Sequence, residues 1–484
     1  MFDAKSDTYE HIVIGTGFVG IEVAKFLDDS GKNFLVIEPG IRGKSAFQFN
    51  SVEGVFDPVL ACQTIGLGGG ANVWGNGLCL PTVHNFFTDS APLSWRHLLD
   101  EFKPDDLRAL ESRLPYNAFK NSRRTLRKFR KILNANNFLF EKHGYAGGTF
   151  GGPGWGKSSI SQVNQHIFES SIVNIERDES LGLWKITTTD LEESYWTFFT
   201  KILIFAAGTL MNAHLVYLAS GINHFPIGNH FSAIVGEITL KFPKNLEKLL
   251  QTWEKNETEF VTVSLPREFR VKHSIPHSAI RFHPIVETSL VNRWKELFKN
   301  PELKKIVSII YESLYLCIVR KQLYYRFQIH LLVDVPLSNN NYIEFDPISN
   351  DVNITLQHTN QSIRGSKILL EQFFSAIKES SHIQDFEIKC FSKDCFNRDK
   401  FLMMEWKDTA HYFGSIPISD DDCRGTVNKY FELNGSRGLF VLGNSSFPTG
   451  SHSHPTLLSV LLAKTFCRIS LTQKTKNDLS TRHK

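Results

Sequence analysis

The sequence predicts an α/β fold in which a buried parallel sheet is assembled from separated stretches of chain and interleaved with a second, α+β domain built on an antiparallel sheet. Three observations predict it. An apolar strand, a glycine turn, a helix and a second strand follow one another between residues 11 and 38. A second strand–turn–helix unit occupies 201–221, and a third apolar strand, 438–442, leads through a polar loop into the helix 457–466. Uninterrupted apolar runs of this length are what strands covered on both faces require.

In the first unit, His11–Ile14 (HIVI) is the strand and Gly15-Thr16-Gly17-Phe18-Val19-Gly20 follows at once. Ile21–Asp29 has helical periodicity and stops at Ser30-Gly31. Asn33–Ile37 (NFLVI) is the next strand, closed by Glu38. Each part has a physical job: Gly15 allows the tight turn, Gly17 admits a pyrophosphate close to the backbone, and Gly20 lets the helix approach the strand. The helix N-terminus offers N–H groups and a positive dipole to phosphates. A carboxylate at Glu38 can accept both hydroxyls of an adenosine ribose and disfavours a 2′-phosphate, so FAD or NAD is expected before NADP. The motif does not choose between FAD and NAD.

Six glycines crowd Gly66–Gly77, interleaved with Leu67, Val73 and Trp74. A flexible linker lacks such apolar groups; the pattern fits a backbone passing close to something flat, or a tight turn in a core. Lys201–Ala207 (KILIFAA) predicts a doubly covered strand, followed by Gly208-Thr209 and a helix from Leu210 to Ala219 that ends at Ser220-Gly221. Ile172–Ile175 and Trp184–Thr188 predict a small sheet feeding it.

After the strand Gly438–Leu442 comes Gly443-Asn444-Ser445-Ser446, then a loop with His452 and His454, then Pro455 at the start of the helix Leu457–Phe466. Proline suits a first helical position, whose N–H is unpaired in any case. His411 lies in another glycine-containing turn, His411–Ser415, and the two turns could converge. A histidine is the natural base near neutral pH, although a lone histidine is more often a satisfied hydrogen-bonder. His452 and His454 lack a signposted third ligand, so no metal is expected.

Composition excludes other classes. Among 484 residues, 54 basic and 50 acidic side chains leave a net charge of only +4, too weak and dispersed for nucleic acid. No apolar run reaches the ~18 residues of a membrane span; Ile306–Val319 reads as a buried helix. No secretory signal is visible, and 7 scattered cysteines show no disulfide or zinc pattern, which points to the cytoplasm.

Taken together in this order, the Gly15–Gly20 unit with Glu38, the Gly66–Gly77 block, the Lys201–Gly221 unit and the His411–Phe466 end resemble the glucose–methanol–choline (GMC) flavoprotein oxidoreductases. The chain looks closest to the branch of bacterial sugar or polyol dehydrogenases. The resemblance implies non-covalent FAD, with its pyrophosphate at Gly15, Gly17 and Gly20 and its ribose at Glu38. It also places the isoalloxazine at Gly68, Gly69 and Asn72, the adenine near Val173, and the pyrimidine end near Pro455 and Thr456. Gly208 and Asn444, in the turns after their strands, complete the implied cofactor set. His411 and His454 match the family's active-site pair. Val73 stands where some members carry a flavin-linked histidine, so no covalent bond is expected by that route.

The implied reaction is oxidation of a CH–OH group in an alcohol or sugar-type substrate. His411 takes the hydroxyl proton, His454 positions the same oxygen, and hydride passes to flavin N5. A dehydrogenase is expected over an oxidase, with the electron acceptor open. The rival readings are an NAD(P)-dependent dehydrogenase and a degenerate FAD-binding interaction module. Gly443, where many members have Asp, and the altered Gly414–Ile418 stretch depart from the family pattern and bear on the second of these. The expected FAD domain takes 1–80, 165–235 and 405–484, and the substrate domain 81–164 and 236–404, with helices at 301–322 and 361–379 and an edge strand at Asn339–Phe345.

Overall fold

The computed structural model describes residues 5–40, 49–53, 67, 77–79, 91–103, 105–106, 138–145, 160–190, 192–241, 259–284, 324–348, 352–380, 385–390, 404, 406–409, 411–451 and 455–472. The expected helix at 301–322, the glycine block apart from Leu67 and Gly77, and His454 lie outside these residues.

The first sheet contains β1 (Lys5–Ile14), β2 (Phe34–Glu38), β6 (Ile167–Glu169), β7 (Ser171–Asp178), β8 (Leu183–Thr189), β9 (Tyr195–Phe205) and β19 (Leu439–Val441). Its order is β6-β2-β1-β9-β8-β7, with β19 also on β9. β1, β2, β6, β9 and β19 run parallel, while β7, β8 and β9 form an antiparallel meander. Only Ser170 separates β6 from β7, yet they sit at the two ends of the order. The sheet therefore curls until its edges approach. Ile12–Ile14, Val36–Ile37, Leu203–Phe205 and Leu439–Val441 are fully or almost fully buried, because helices cover both faces of a parallel sheet.

Those helices are α1 (Phe18–Asp29), α3 (Thr209–Ser220) and α6 (Thr456–Phe466); α2 (Leu93–Asp100), α4 (Arg267–His273) and α5 (Asn360–Glu379) lie elsewhere. α1 packs on α6, and the buried Glu22 meets Lys464 across that contact at 3.4 Å.

A second sheet of four strands has the order β10-β15-β16-β3, made of β3 (Phe49–Glu53), β10 (His224–Pro226), β15 (Tyr342–Phe345) and β16 (Val352–Thr355). The third holds β4 (Gly77–Cys79), β5 (Leu139–Tyr145), β11 (Asn229–Lys241), β12 (Glu259–Ser264), β13 (Ala279–Pro284), β14 (Tyr324–Val335), β17 (Asp385–Cys390) and β18 (Lys407–Asp408). All of its pairings are antiparallel. α5 lies on β13 and β14.

The structure corrects four sequence readings. β9 starts at Tyr195, not Lys201: its first half alternates in burial on β8, and only the second half is covered on both sides. β1 likewise begins at Lys5, paired with that first half of β9. Tyr342–Phe345 is an interior strand of the small sheet, not an edge, because β10 returns from α3 to pair with its free side. β4 and β11, which start within the segments assigned to the FAD domain, run in the third sheet.

Candidate active site

The first half of the site is a nucleotide cradle at the carboxyl ends of β1 and β2. The turn closes with the N–H of Gly15 donating to Ile37 O at 2.8 Å. α1 starts at Phe18 with Gly17 as its cap, and no side chain caps that end. A Cβ on Gly20 would lie 1.9 Å from Gly15 O, so helix and turn are in direct contact there. A Cβ on Gly17 would meet nothing within 4 Å: the backbone faces open space where an anion would sit.

Glu38 ends β2 and is buried. Its Oε2 accepts the N–H of Thr16 at 2.9 Å as well as the Thr16 hydroxyl, and Oε1 accepts the N–H of Gly40 at 3.0 Å. Burial raises its carboxyl above the usual range against those hydrogen bonds. A carboxylate has about four lone-pair sites, so capacity remains for a ribose hydroxyl. Beside it, the Ser170 N–H donates to Glu38 O at 3.1 Å, and three residues on, Val173 sits at a register shift in β7 with its side chain 45% exposed.

The second half is built around His411, which four segments fix in place. Thr209, the first residue of α3, donates its hydroxyl to Tyr412 O at 2.7 Å, and the Ser415 hydroxyl returns to Thr209 O at 2.9 Å. Gly228 and Phe413 exchange both backbone hydrogen bonds, at 2.9 and 3.0 Å. The Phe413 ring leaves no room for a Cβ on either Gly228 or Gly450. Gly414, Ile416 and Ile418 donate in turn to the carbonyls of Asn444, Ser445 and Ser446 at 2.8–3.0 Å. Asn212 completes the frame: its amide donates to Leu442 O at 2.9 Å and its carbonyl accepts from Ala207 N at 2.9 Å.

Asn229 Oδ1 accepts the backbone N–H of both His230, at 2.8 Å, and His411, at 3.1 Å. The two rings stand 4.4 Å apart between centroids, with His411 Nδ1 3.0 Å from His230 Nε2 and 3.3 Å from its Nδ1. Burial pulls the His411 imidazole down to about 4, while the residue as a whole is half-buried. It is thus neutral near pH 7, the state a proton acceptor needs.

Of the sequence-predicted residues, Gly15, Gly17, Gly20, Glu38 and Val173 gather at the cradle. Gly208, Asn444, Pro455 and Thr456 lie in the turns that flank the His411 frame or open α6. Asn444 Oδ1 accepts from Ser459 in the first turn of α6, and Pro455 O accepts the Ser459 N–H at 2.9 Å. Gly68, Gly69, Asn72 and His454 lie outside the described residues. Sequence reasoning missed Thr16, Asn212, Asn229 and His230.

Residues 349–463 match a family model described as GMC oxidoreductase. Solved structures share the fold over nearly the whole length. A formate oxidase is 14% identical with a TM-score of 0.57, aligned over 96% of this chain and 98% of that one. Pyridoxine 4-oxidase from Mesorbium loti is 13% identical at 0.60, over 96% and 99%. A fungal aryl-alcohol oxidase is 12% identical at 0.52, over 96% and 99%. A search of curated proteins gave no match.

FAD fits the cradle seen here. The open face of Gly17, the uncapped start of α1 and the spare acceptor capacity of Glu38 suit a pyrophosphate joined to an adenosine. Among the described residues no helix is long and apolar enough to cross a membrane, and no group of three side chains is arranged for a metal.

Proposed function

We propose that the protein is an FAD-dependent oxidoreductase acting on a CH–OH group of an alcohol or sugar-type small molecule, with His411 as the base. One observation carries the reading: a neutral imidazole, on a half-buried residue, is anchored on the same turns that close the nucleotide-binding sheet. FAD, when bound, supplies the acceptor for the hydride of the substrate carbon. His411 takes the proton of the substrate hydroxyl at Nε2, since its Nδ1 is turned to His230. His454 hydrogen-bonds the same oxygen, and Gly68, Gly69 and Asn72 belong with the flavin ring. The relatives of like fold are named for formate, pyridoxine and aryl alcohols, so small polar and aromatic alcohols belong in any substrate panel. As those relatives are oxidases, oxygen stands beside a quinone or protein carrier as electron acceptor.

An absorbance spectrum of the purified protein tests the cofactor. Flavin bands that bleach when an alcohol is added without oxygen support the reading. A colourless protein, or a yellow one that no alcohol or sugar bleaches, counts against it.

A further inference from the structure

We propose that His230 is a positioning residue which accepts the Nδ1–H of His411 and thereby leaves Nε2 of His411 as the nitrogen that receives the substrate's proton. This rests on the reading of His411 as the base.

The geometry brings the two imidazoles within hydrogen-bond distance, and the backbone holds them there. Asn229 Oδ1 fixes the N–H of both residues, the Gly228–Phe413 bridge fixes the strands on either side, and the Thr409 hydroxyl binds His230 O at 2.5 Å. His230 itself is only 3% exposed, so its ring is locked.

Two neutral imidazoles in contact share a single N–H···N bond, which has two arrangements. If His411 Nδ1 accepts, Nε2 carries the hydrogen and cannot take a proton. If Nδ1–H donates to His230, Nε2 carries no hydrogen and its lone pair can accept one. During the reaction the substrate O–H bond breaks and an Nε2–H bond forms. His411 then carries hydrogen on both nitrogens, and the Nδ1–H···N bond becomes charge-assisted without any bond at Nδ1 breaking. Only the second arrangement persists from start to finish, so His230 stabilises the charged base as well as aiming it.

His230 must stay neutral to serve. Among the described residues, Asp334 stands directly opposite it in the β11–β14 register, and the charge of Arg270 acts on Asp334. Asp334 is buried, its Oδ1 has no hydrogen-bond partner among the described residues, and burial raises its carboxyl to about 7. Below neutrality it therefore adds little negative charge to draw a second proton onto the pair.

The test uses full-length, FAD-loaded protein labelled with ¹⁵N-histidine, with the His411 signals assigned from a His411→Gln variant. The expected spectrum at pH 7.5 has hydrogen on Nδ1 of His411 and a bare Nε2. His230→Leu, which has no acceptor, should move the hydrogen to Nε2 and slow flavin reduction about 10- to 100-fold, as loss of an orienting partner does, with KM little changed. His230→Asn, which keeps an acceptor oxygen, should restore the tautomer and most of the rate. Wild-type protein with hydrogen on Nε2, or a His230→Leu variant of wild-type tautomer and rate, overturns the proposal. The wild-type spectrum decides even if the leucine variant does not fold. It also needs no substrate, so an inactive enzyme would count against the proposed function and not against the role of His230.

Discussion

Thr209 donates its hydroxyl to the main-chain carbonyl of Tyr412 across 2.7 Å, although 203 residues separate them in sequence. Through that bond the helix following the longest strand of the parallel sheet, β9, grips the residue next to His411. Cofactor cradle and proposed base are therefore parts of one rigid frame, and a change in one is felt by the other.

Removing the grip has a defined cost. Thr209→Val keeps the shape but leaves the buried carbonyl of Tyr412 without this donor. The variant is expected to lose about 1–3 kcal/mol of stability and to turn over more slowly with unchanged FAD content. Thr209→Ser, which keeps the hydroxyl, should behave like wild type. Denaturant melts beside flavin-reduction rates check both, and a valine variant as stable and as fast as wild type would rule out the coupling.

The glycine turn separates packing from cofactor binding. Ala at Gly20 puts a Cβ 1.9 Å from Gly15 O, so Gly20→Ala should fail to fold or melt far lower. Ala at Gly17 meets no protein atom within 4 Å. Gly17→Ala should therefore leave the melting temperature of the FAD-free protein nearly unchanged while weakening FAD about tenfold or more, an estimate of 1.4 kcal/mol or above. Equal FAD affinity for Gly17→Ala and wild type would show that the pyrophosphate lies elsewhere.

This contrast shows how much was legible beforehand. The cradle could be read because its parts are local: Gly15, Gly17, Gly20 and Glu38 all fall within one strand–helix–strand unit. The end of β9 was legible because a doubly covered strand is apolar throughout, whereas its first half, packed on β8, alternates and escaped notice. The antiparallel sheet joins strands such as β11 and β17 from distant stretches, and nothing in either stretch names its partner. His230 was overlooked for the same reason, since its contact with His411 spans 181 residues.

Acid sensitivity follows from buried imidazoles. Burial lowers His11, His214 and His411 to about 4 and His358 to about 3, with Lys32 adding to the effect at His11. Unfolded, each returns to about 6.5 and binds a proton the folded chain does not. Their contribution to stability is therefore complete above about pH 6.5 and is lost as pH falls through about 4. Asp334, raised to about 7, has the opposite sign and contributes less stability as pH rises through that value. These five groups leave a net uptake of about three protons on unfolding near pH 5, a slope of roughly 4 kcal/mol per pH unit. Denaturant melts between pH 7 and 4.5 measure that slope. His214→Gln, at a ring stacked on Phe345, should reduce it by about one proton; an unchanged slope would mean that His214 is protonated in the folded chain.

The most direct measurement is the rate at which a bleaching substrate reduces the bound flavin, followed without oxygen in wild type and His411→Ala. The account expects the variant to bind FAD as wild type does and to be reduced about 10²–10⁴-fold more slowly, with the deficit shrinking as pH rises and substrate alkoxide forms unaided. Reduction of His411→Ala at the wild-type rate would contradict it.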